Sequence, residues 1–207
     1  MNTHAAPTSP PGRTLVLGST SRYRRELLER LRIPFEVTAP DVDETPRPFE
    51  TPRDLAMRLA LDKARAVALK HPQAVVIGSD QVADLEGEAL GKPGTHDRAV
   101  LQLHRMRGRT VVFQTAVAVV CAATGFEQVD LAPVRVRFRS AQEGLGDAEI
   151  EAYLRAERPY DCAGSAKSEG LGIALLVAID NDDPTALVGL PLIRTCRMIR
   201  AAGVKTL

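Results

Sequence analysis

Residues Gln73 to Gly94 read QAVVIGSDQVADLEGEALGKPG, and the interpretation of this stretch decides the fold. Ala74-Val75-Val76-Ile77 is a short apolar run, β-branched and suited to a buried strand. Gly78-Ser79-Asp80-Gln81 interrupts it, so the spacing predicts a strand over Ala74 to Ser79 with Asp80 at its tip. Val82 to Leu90 then reads as a hairpin around Glu86-Gly87. Gly91-Lys92-Pro93 forms a second polar stop. A run built for burial thus delivers an acid at its end and a lysine shortly after.

The flanking segments alternate strand and helix. Thr14 to Gly18 reads as a buried strand, and Ser19-Thr20-Ser21 offers caps for a helix over Arg22 to Arg32 with an apolar stripe at Leu27, Leu28 and Leu31. Phe35 to Thr38 is a second short strand, and Ala39 to Pro52 is a loop rich in proline and acid. Thr51-Pro52 opens a long helix, cap then proline. Its stripe is Leu55, Leu59, Lys63 and Val67, a spacing of four that keeps all of them near one face. Lys63 therefore interrupts an apolar face. Thr95 caps a helix to Arg107 that stops at Gly108. Thr110 to Cys121 and Phe126 to Arg139 are long strands joined at Ala122 to Gly125. In the second, Val134, Val136 and Phe138 alternate with Arg135, Arg137 and Arg139, a period of two. Those arginines suit a solvated sheet face or a phosphate site. Gly146 to Arg158 is an amphipathic helix, Gly172 to Ile179 a buried strand, and Pro191 to Ala202 a closing helix. The pattern predicts a mixed α/β single domain over residues 14–207, preceded by a Pro-rich disordered tail over residues 1–13.

Composition narrows the function. In 207 residues, 44% are hydrophobic and 26% charged, ordinary for a soluble globular chain. A net charge of +1 gives no electrostatic argument for a nucleic acid polymer or a membrane as partner. The longest apolar runs, such as Ala116 to Ala123, are too short to span a bilayer, and the first dozen residues lack the layout of a secretory signal. Cys121, Cys162 and Cys196 are too few for a disulfide framework and read as small core residues in a reducing cytoplasm.

Three polar clusters interrupt apolar elements. In Gly18 to Leu28, Arg22, Arg24 and Arg25 crowd a helix start, against the macrodipole. Exposed backbone N–H groups with arginines make a phosphate site, and a surface basic turn is the plainer alternative. GxxxxGK[ST] is absent, which excludes a standard P-loop. Asp80 is positioned to bind Mg²⁺ or orient a water, or else caps the next segment. Lys92 suits a hairpin end, and Lys63 can snorkel from its apolar face. In Tyr160 to Gly172, glycines and serines surround Lys167 and Glu169, as in a loop that approaches a ligand closely or in a plain connector.

Taken together these pieces resemble the Maf family of nucleotide pyrophosphatases from Thr14 to about Val204. The matching strings are LGSTSRYRRELLERL, VDET, RLALDKA, GSDQV, LGKP, DCAGSAKSEGLGIAL and LVGLPL. GSDQ and KSEG resemble the branch that hydrolyses 7-methyl-GTP. The resemblance implies an elongated mixed sheet flanked by helices, two lobes around a deep cleft, similar to the inosine triphosphate pyrophosphatases and often a homodimer. It implies a hydrolase of phosphoanhydride bonds that yields 7-methyl-GMP and pyrophosphate and clears modified nucleotides. Relatives acting on dTTP or UTP, or regulating septum formation, are the alternatives. By the same match Asp80 is the proton acceptor, and Ser19, Ser21, Arg24, Lys63 and Lys92 hold phosphates. The match also implies Glu44 and Asp80 as candidate ligands for a divalent cation, Mg²⁺ or Mn²⁺. Tyr23, Gln81 and Glu169 set substrate choice. Glu169 can accept from guanine's N1–H and N2–H₂, and the Tyr23 ring can stack on a cationic methylated base.

Overall fold

The computed structural model describes residues 13–206; the tail expected over residues 1–13 lies outside them, Arg13 excepted. Seven strands form one mixed sheet in the order β2-β1-β3-β5-β6-β7, with β4 paired to β3. The strands are β1 (Leu15–Gly18), β2 (Phe35–Val37), β3 (Val75–Leu85), β4 (Glu88–Leu90), β5 (Thr110–Cys121), β6 (Phe126–Phe138) and β7 (Leu176–Asp180). The helices are α1 (Arg22–Glu29), α2 (Pro52–Lys70), α3 (His96–Met106), α4 (Asp147–Glu157) and α5 (Leu192–Ala201). β1 runs parallel to β2 and β3, and the remaining pairs are antiparallel.

The cap signals act as expected. Ser21, Thr51 and Thr95 accept from the backbone N–H of Arg24, Asp54 and Arg98, and Pro52 takes the first turn of α2. Leu55, Leu59, Lys63 and Val67 all lie on the buried face of α2. α1 is shorter than expected. It ends at Glu29, and tighter i→i−3 turns carry the chain to Arg32, whose φ is 55°.

β3 differs from its sequence reading in the way that matters most. The strand does not stop at Ser79; it runs through Asp80 to Leu85 and turns at Glu86 and Gly87, both with positive φ, into β4. The polar residues do not break it because β5 pairs with it continuously from Val76 to Asp84, which satisfies the backbone. Asp80 therefore sits in mid-strand. A strand has two edges. β5 takes one, so β1 and β4 share the other, and β1 leaves it at Gly78 while β4 joins only at Ala83. The edge is unpaired over residues 79–82.

Another correction falls on Gly172 to Ile179. Leu171 to Leu175 form 3₁₀ turns, and β7 is a sheet-edge strand with Val177 and Ile179 exposed. A short apolar run does not distinguish an edge from a core strand.

Two core regions lie along the sheet. Around the first half of β3, Leu15, Leu17, Val75 and Ile77 pack with α1 and α5 on one face, while Val16 and Val76 pack with α2 on the other. Around its second half, Ala83 and Leu85 pack with α3, α4, Phe113 and Phe138. The two core regions divide along β3 next to its open stretch.

Candidate active site

Side chains alternate across β3, so Asp80 faces α2 while Ser79 and Gln81 face the opposite side. Gly78 sets the approach of α2. A Cβ there would stand 2.2 Å from the Ala60 carbonyl oxygen and 2.6 Å from the Ala64 nitrogen. The helix backbone lies against the strand at that point, which puts Lys63 beside Asp80. Lys63 Nζ is 2.7 Å from Asp80 Oδ1 and 2.8 Å from Glu44 Oε1. The Lys63 and Asp80 side chains are 6% and 11% exposed, Glu44 59%. Among the described residues, Asp80 Oδ2 makes no hydrogen bond.

Two more cations flank this trio. Arg24 Nε donates 2.9 Å to the Gly189 carbonyl and Nη1 donates 3.3 Å to Ser19 Oγ. Burial pushes the Arg24 guanidinium down from its ordinary value, opposed by the charges of Asp80 and Glu44. Lys92 is exposed on the turn after β4. Glu44 is pushed up by burial but pulled down overall by the bond from Lys63 and the charges of Lys63, Lys92 and Arg24. Among the described residues, neither Arg24 nor Lys92 makes an ion pair. Ser19 Oγ accepts from Ser21 N at 3.2 Å, which tightens the turn into α1. The structure thus brings Ser19, Ser21, Arg24, Glu44, Lys63, Asp80 and Lys92 around the open edge of β3.

The specificity candidates divide. The Tyr23 hydroxyl accepts 2.6 Å from Arg22 Nη2 and lies 3.4 Å from both Asp161 oxygens, linking α1 to the other lobe. The Arg22 guanidinium stands 4.7 Å from the Tyr23 ring centre, a cation over an aromatic face. Burial pushes the Tyr23 phenol up. Cys162, 3.7 Å from that phenol, is pushed up by burial to about 11, partly through the charge of Glu169. Of the three cysteines expected in the core, Cys121 is buried there, whereas Cys162 and Cys196 are part-buried outside it. Glu169 is exposed, and its charge acts on Cys162. Gln81 is elsewhere. Its Nε2 donates to Thr115 Oγ1, Ala186 O and Leu187 O at 2.9 to 3.0 Å, so it holds the turn at residues 186–188.

Sequence reasoning missed what stands behind Arg24. Ser79 Oγ donates 2.8 Å to Ala116 O and 3.0 Å to Gly189 O, and Thr115 Oγ1 donates to Ala186 O. Ser79, Gln81 and Thr115 thereby hold the turn whose Gly189 carbonyl orients Arg24. Gly189 has φ 123°, which favours glycine, and the LVGLPL string was its one trace in the sequence.

Comparison with known proteins agrees with this architecture. The profile of the Maf family, described as Maf-like protein, matches residues 14–202, and the chain belongs to that family. A 7-methyl-GTP pyrophosphatase of Albidiferax ferrireducens is 72% identical over 200 residues, 97% of this chain and 98% of the relative. One of Polaromonas sp. is 74% identical over 203 residues, 98% of this chain and 91% of the relative. One of Aromatoleum aromaticum is 63% identical over 190 residues, 92% of this chain and 96% of the relative. No described helix is long and apolar enough to cross a membrane.

Proposed function

We propose that this chain hydrolyses 7-methyl-GTP to 7-methyl-GMP and pyrophosphate; its relatives carry the name 7-methyl-GTP pyrophosphatase. The observation that carries the reading is the meeting of Asp80, Lys63 and Glu44 with Arg24 and Lys92, two cations without an ion pair among the described residues, at the open edge of β3. A binding protein needs the cations alone; an acid held among them with one free oxygen suits proton transfer.

The reaction is a displacement at the α-phosphorus. Water's oxygen bonds to that phosphorus, the bond to the bridging oxygen of the β-phosphate breaks, and pyrophosphate leaves. Asp80 Oδ2 accepts the water's proton while Lys63 holds Oδ1 and fixes the carboxylate's orientation. Arg24, Lys63 and Lys92 oppose the charge of the triphosphate, about −4, with Ser19 and Ser21 as hydroxyl partners. A desolvated guanidinium without an acidic partner is the kind of group that a phosphate compensates.

A divalent cation suits the same place. Among the described residues no group of three or more His, Cys, Asp or Glu side chains forms a ready-made cage. The Glu44 and Asp80 carboxylates both meet the Lys63 ammonium through one oxygen, and among the described residues the other oxygen of each makes no hydrogen bond; Mg²⁺ is commonly held by one or two such carboxylates plus substrate phosphates. Glu44 and Asp80 would hold it, and it would neutralise phosphate charge. At the other end, Tyr23 and Glu169 offer an aromatic face and an acceptor to a cationic purine. Three free thiols fit a reducing cytoplasm.

Pyrophosphate release, measured with coupled inorganic pyrophosphatase over 7-methyl-GTP, GTP, dTTP and UTP with Mg²⁺ or Mn²⁺, tests the reading. The highest kcat/KM is expected for 7-methyl-GTP. Release from none of them, or preference for a pyrimidine, overturns it.

A further inference from the structure

The loop that presents Glu44 has almost nothing holding it except one helix. Residues 43–49 are all exposed, and Phe49 stands fully clear of the protein at φ 62°. Burial therefore does little to fix the loop. Its backbone hydrogen bonds are local: Thr45 N donates to Asp43, Arg47 N to Glu50, and Glu50 N to Arg47 O. Among the described residues, every longer-range polar contact of residues 41–50 goes to α2, and to two side chains of it. Lys63 meets Glu44. Arg58 does the rest.

Arg58 grips the loop at two places. Its Nη2 donates 3.1 Å to the carbonyl of Thr45, the residue next to Glu44. Its Nε and Nη2 donate 2.5 Å and 2.8 Å to the two oxygens of Glu50, a fork-on-carboxylate pair. The pair is 13% and 8% exposed, far more enclosed than the loop around it. Asp62 steadies the guanidinium from one turn on, 3.5 Å from Nη1. Arg58 and Lys63 lie five residues apart, about 7.5 Å along the helix axis. One rigid helix thus carries both the anchor of the loop and the ammonium that the loop's acid must reach.

We infer that Arg58, with Glu50, is a positioning residue for Glu44: the clamp sets where the Glu44 carboxylate stands over Lys63 and Asp80. Arg58 acts through Glu44. The inference rests on the pyrophosphatase reading for its catalytic consequence, and on the clamp geometry alone for its structural one. Lysine cannot replace this side chain fully, because an ammonium lacks the planar fork that serves Glu50 and Thr45 together.

Two measurements test it on the full chain. Hydrogen–deuterium exchange of wild type, R58K and R58M is expected to rise at least tenfold across residues 41–50 in R58M, less in R58K, with β3 and β5 unchanged. This reads the clamp without substrate or metal. In kinetics, R58M is expected to lower kcat/KM about 10- to 100-fold through misplacement of Glu44. E44Q should also lower it, and adding R58M to E44Q should cost less than about threefold more, because the two act as one unit. Unchanged exchange at 41–50, or a double variant whose losses multiply in full, overturns the inference. A wild type that hydrolyses no nucleotide sinks the functional reading instead, and the exchange result still decides the clamp.

Discussion

Lys63 Nζ lies 2.7 Å from Asp80 Oδ1 although 17 residues separate them, one on a helix and one on the strand beneath it. The ammonium also meets Glu44, so a single cation organises two acids from different elements.

Asp80→Asn is therefore expected to keep the fold and lose the chemistry. The amide is nearly the same size and its oxygen can still accept from Lys63. It is a far weaker proton acceptor at the free position. Turnover should fall about 10²-fold or more with KM little changed. Near-normal kcat would remove Asp80 from the proton-transfer role.

Lys63→Met is expected to cost both stability and activity. It leaves Asp80, nearly buried, without its cation, and breaking a buried pair costs about 3–5 kcal/mol. Partial access to solvent at this site puts the expectation at the lower end. Urea unfolding of K63M at pH 7 should show it. A variant as stable as wild type would mean that the pair is solvated and energetically slack.

Gly78→Ala tests the close approach of strand and helix. The added carbon would lie 2.2 Å from the Ala60 carbonyl, so α2 must move. Overpacking of this kind costs about 1–3 kcal/mol. Because α2 carries Lys63, activity should drop about tenfold or more in the fraction that remains folded. A lowered melting temperature with unchanged kcat would show that the helix shifts without moving Lys63.

These positions also show what was legible in the chain. Lys63 was visible because a lysine on an otherwise apolar stripe at spacing four is conspicuous. Asp80 was visible for a reason that was partly wrong. The expected strand end does not exist, since pairing with β5 lies 37 residues away in sequence and no local pattern encodes it. The convergence on one open edge depends on where β1 stops and β4 starts, which is register and not composition. Ser79 and Gly189 stood in the GSDQV and LVGLPL strings, but their roles were not legible, because they meet in a hydrogen bond across 110 residues. Arg58 entered the sequence reading only as the first residue of RLALDKA, and only the fold of the acidic loop gives it its partners Glu50 and Thr45.

Glu50 supplies a pH prediction with a definite sign. Its hydrogen bond from Arg58 holds the carboxyl down from 4.5 to about 2, against burial. A depressed folded value means that the pair's stabilisation is present above about pH 4.5 and is lost as pH falls toward 2. Wild type should exceed Glu50→Gln in unfolding free energy by about 1–3 kcal/mol at pH 7. The gap should narrow steadily below pH 4.5. A gap of equal size at pH 3 and pH 7 would show that the charge of Glu50 is not what the clamp uses.

Tyr23 carries the prediction about substrate choice. One face of its ring already hosts a cation, the Arg22 guanidinium 4.7 Å from the ring centre, so a base stacks on the opposite face or displaces Arg22. Methylation at N7 makes guanine cationic, and stacking of that base on a tyrosine is worth about 0.5–2 kcal/mol. The ratio of kcat/KM for 7-methyl-GTP over GTP should therefore fall about 2- to 30-fold in Tyr23→Ala. Tyr23→Trp should keep or raise the ratio, because indole is the stronger cation partner. Loss of overall rate in both variants with the ratio intact would assign Tyr23 to its hydroxyl link with Asp161, which joins the lobes, and would leave discrimination of the methyl group to Glu169.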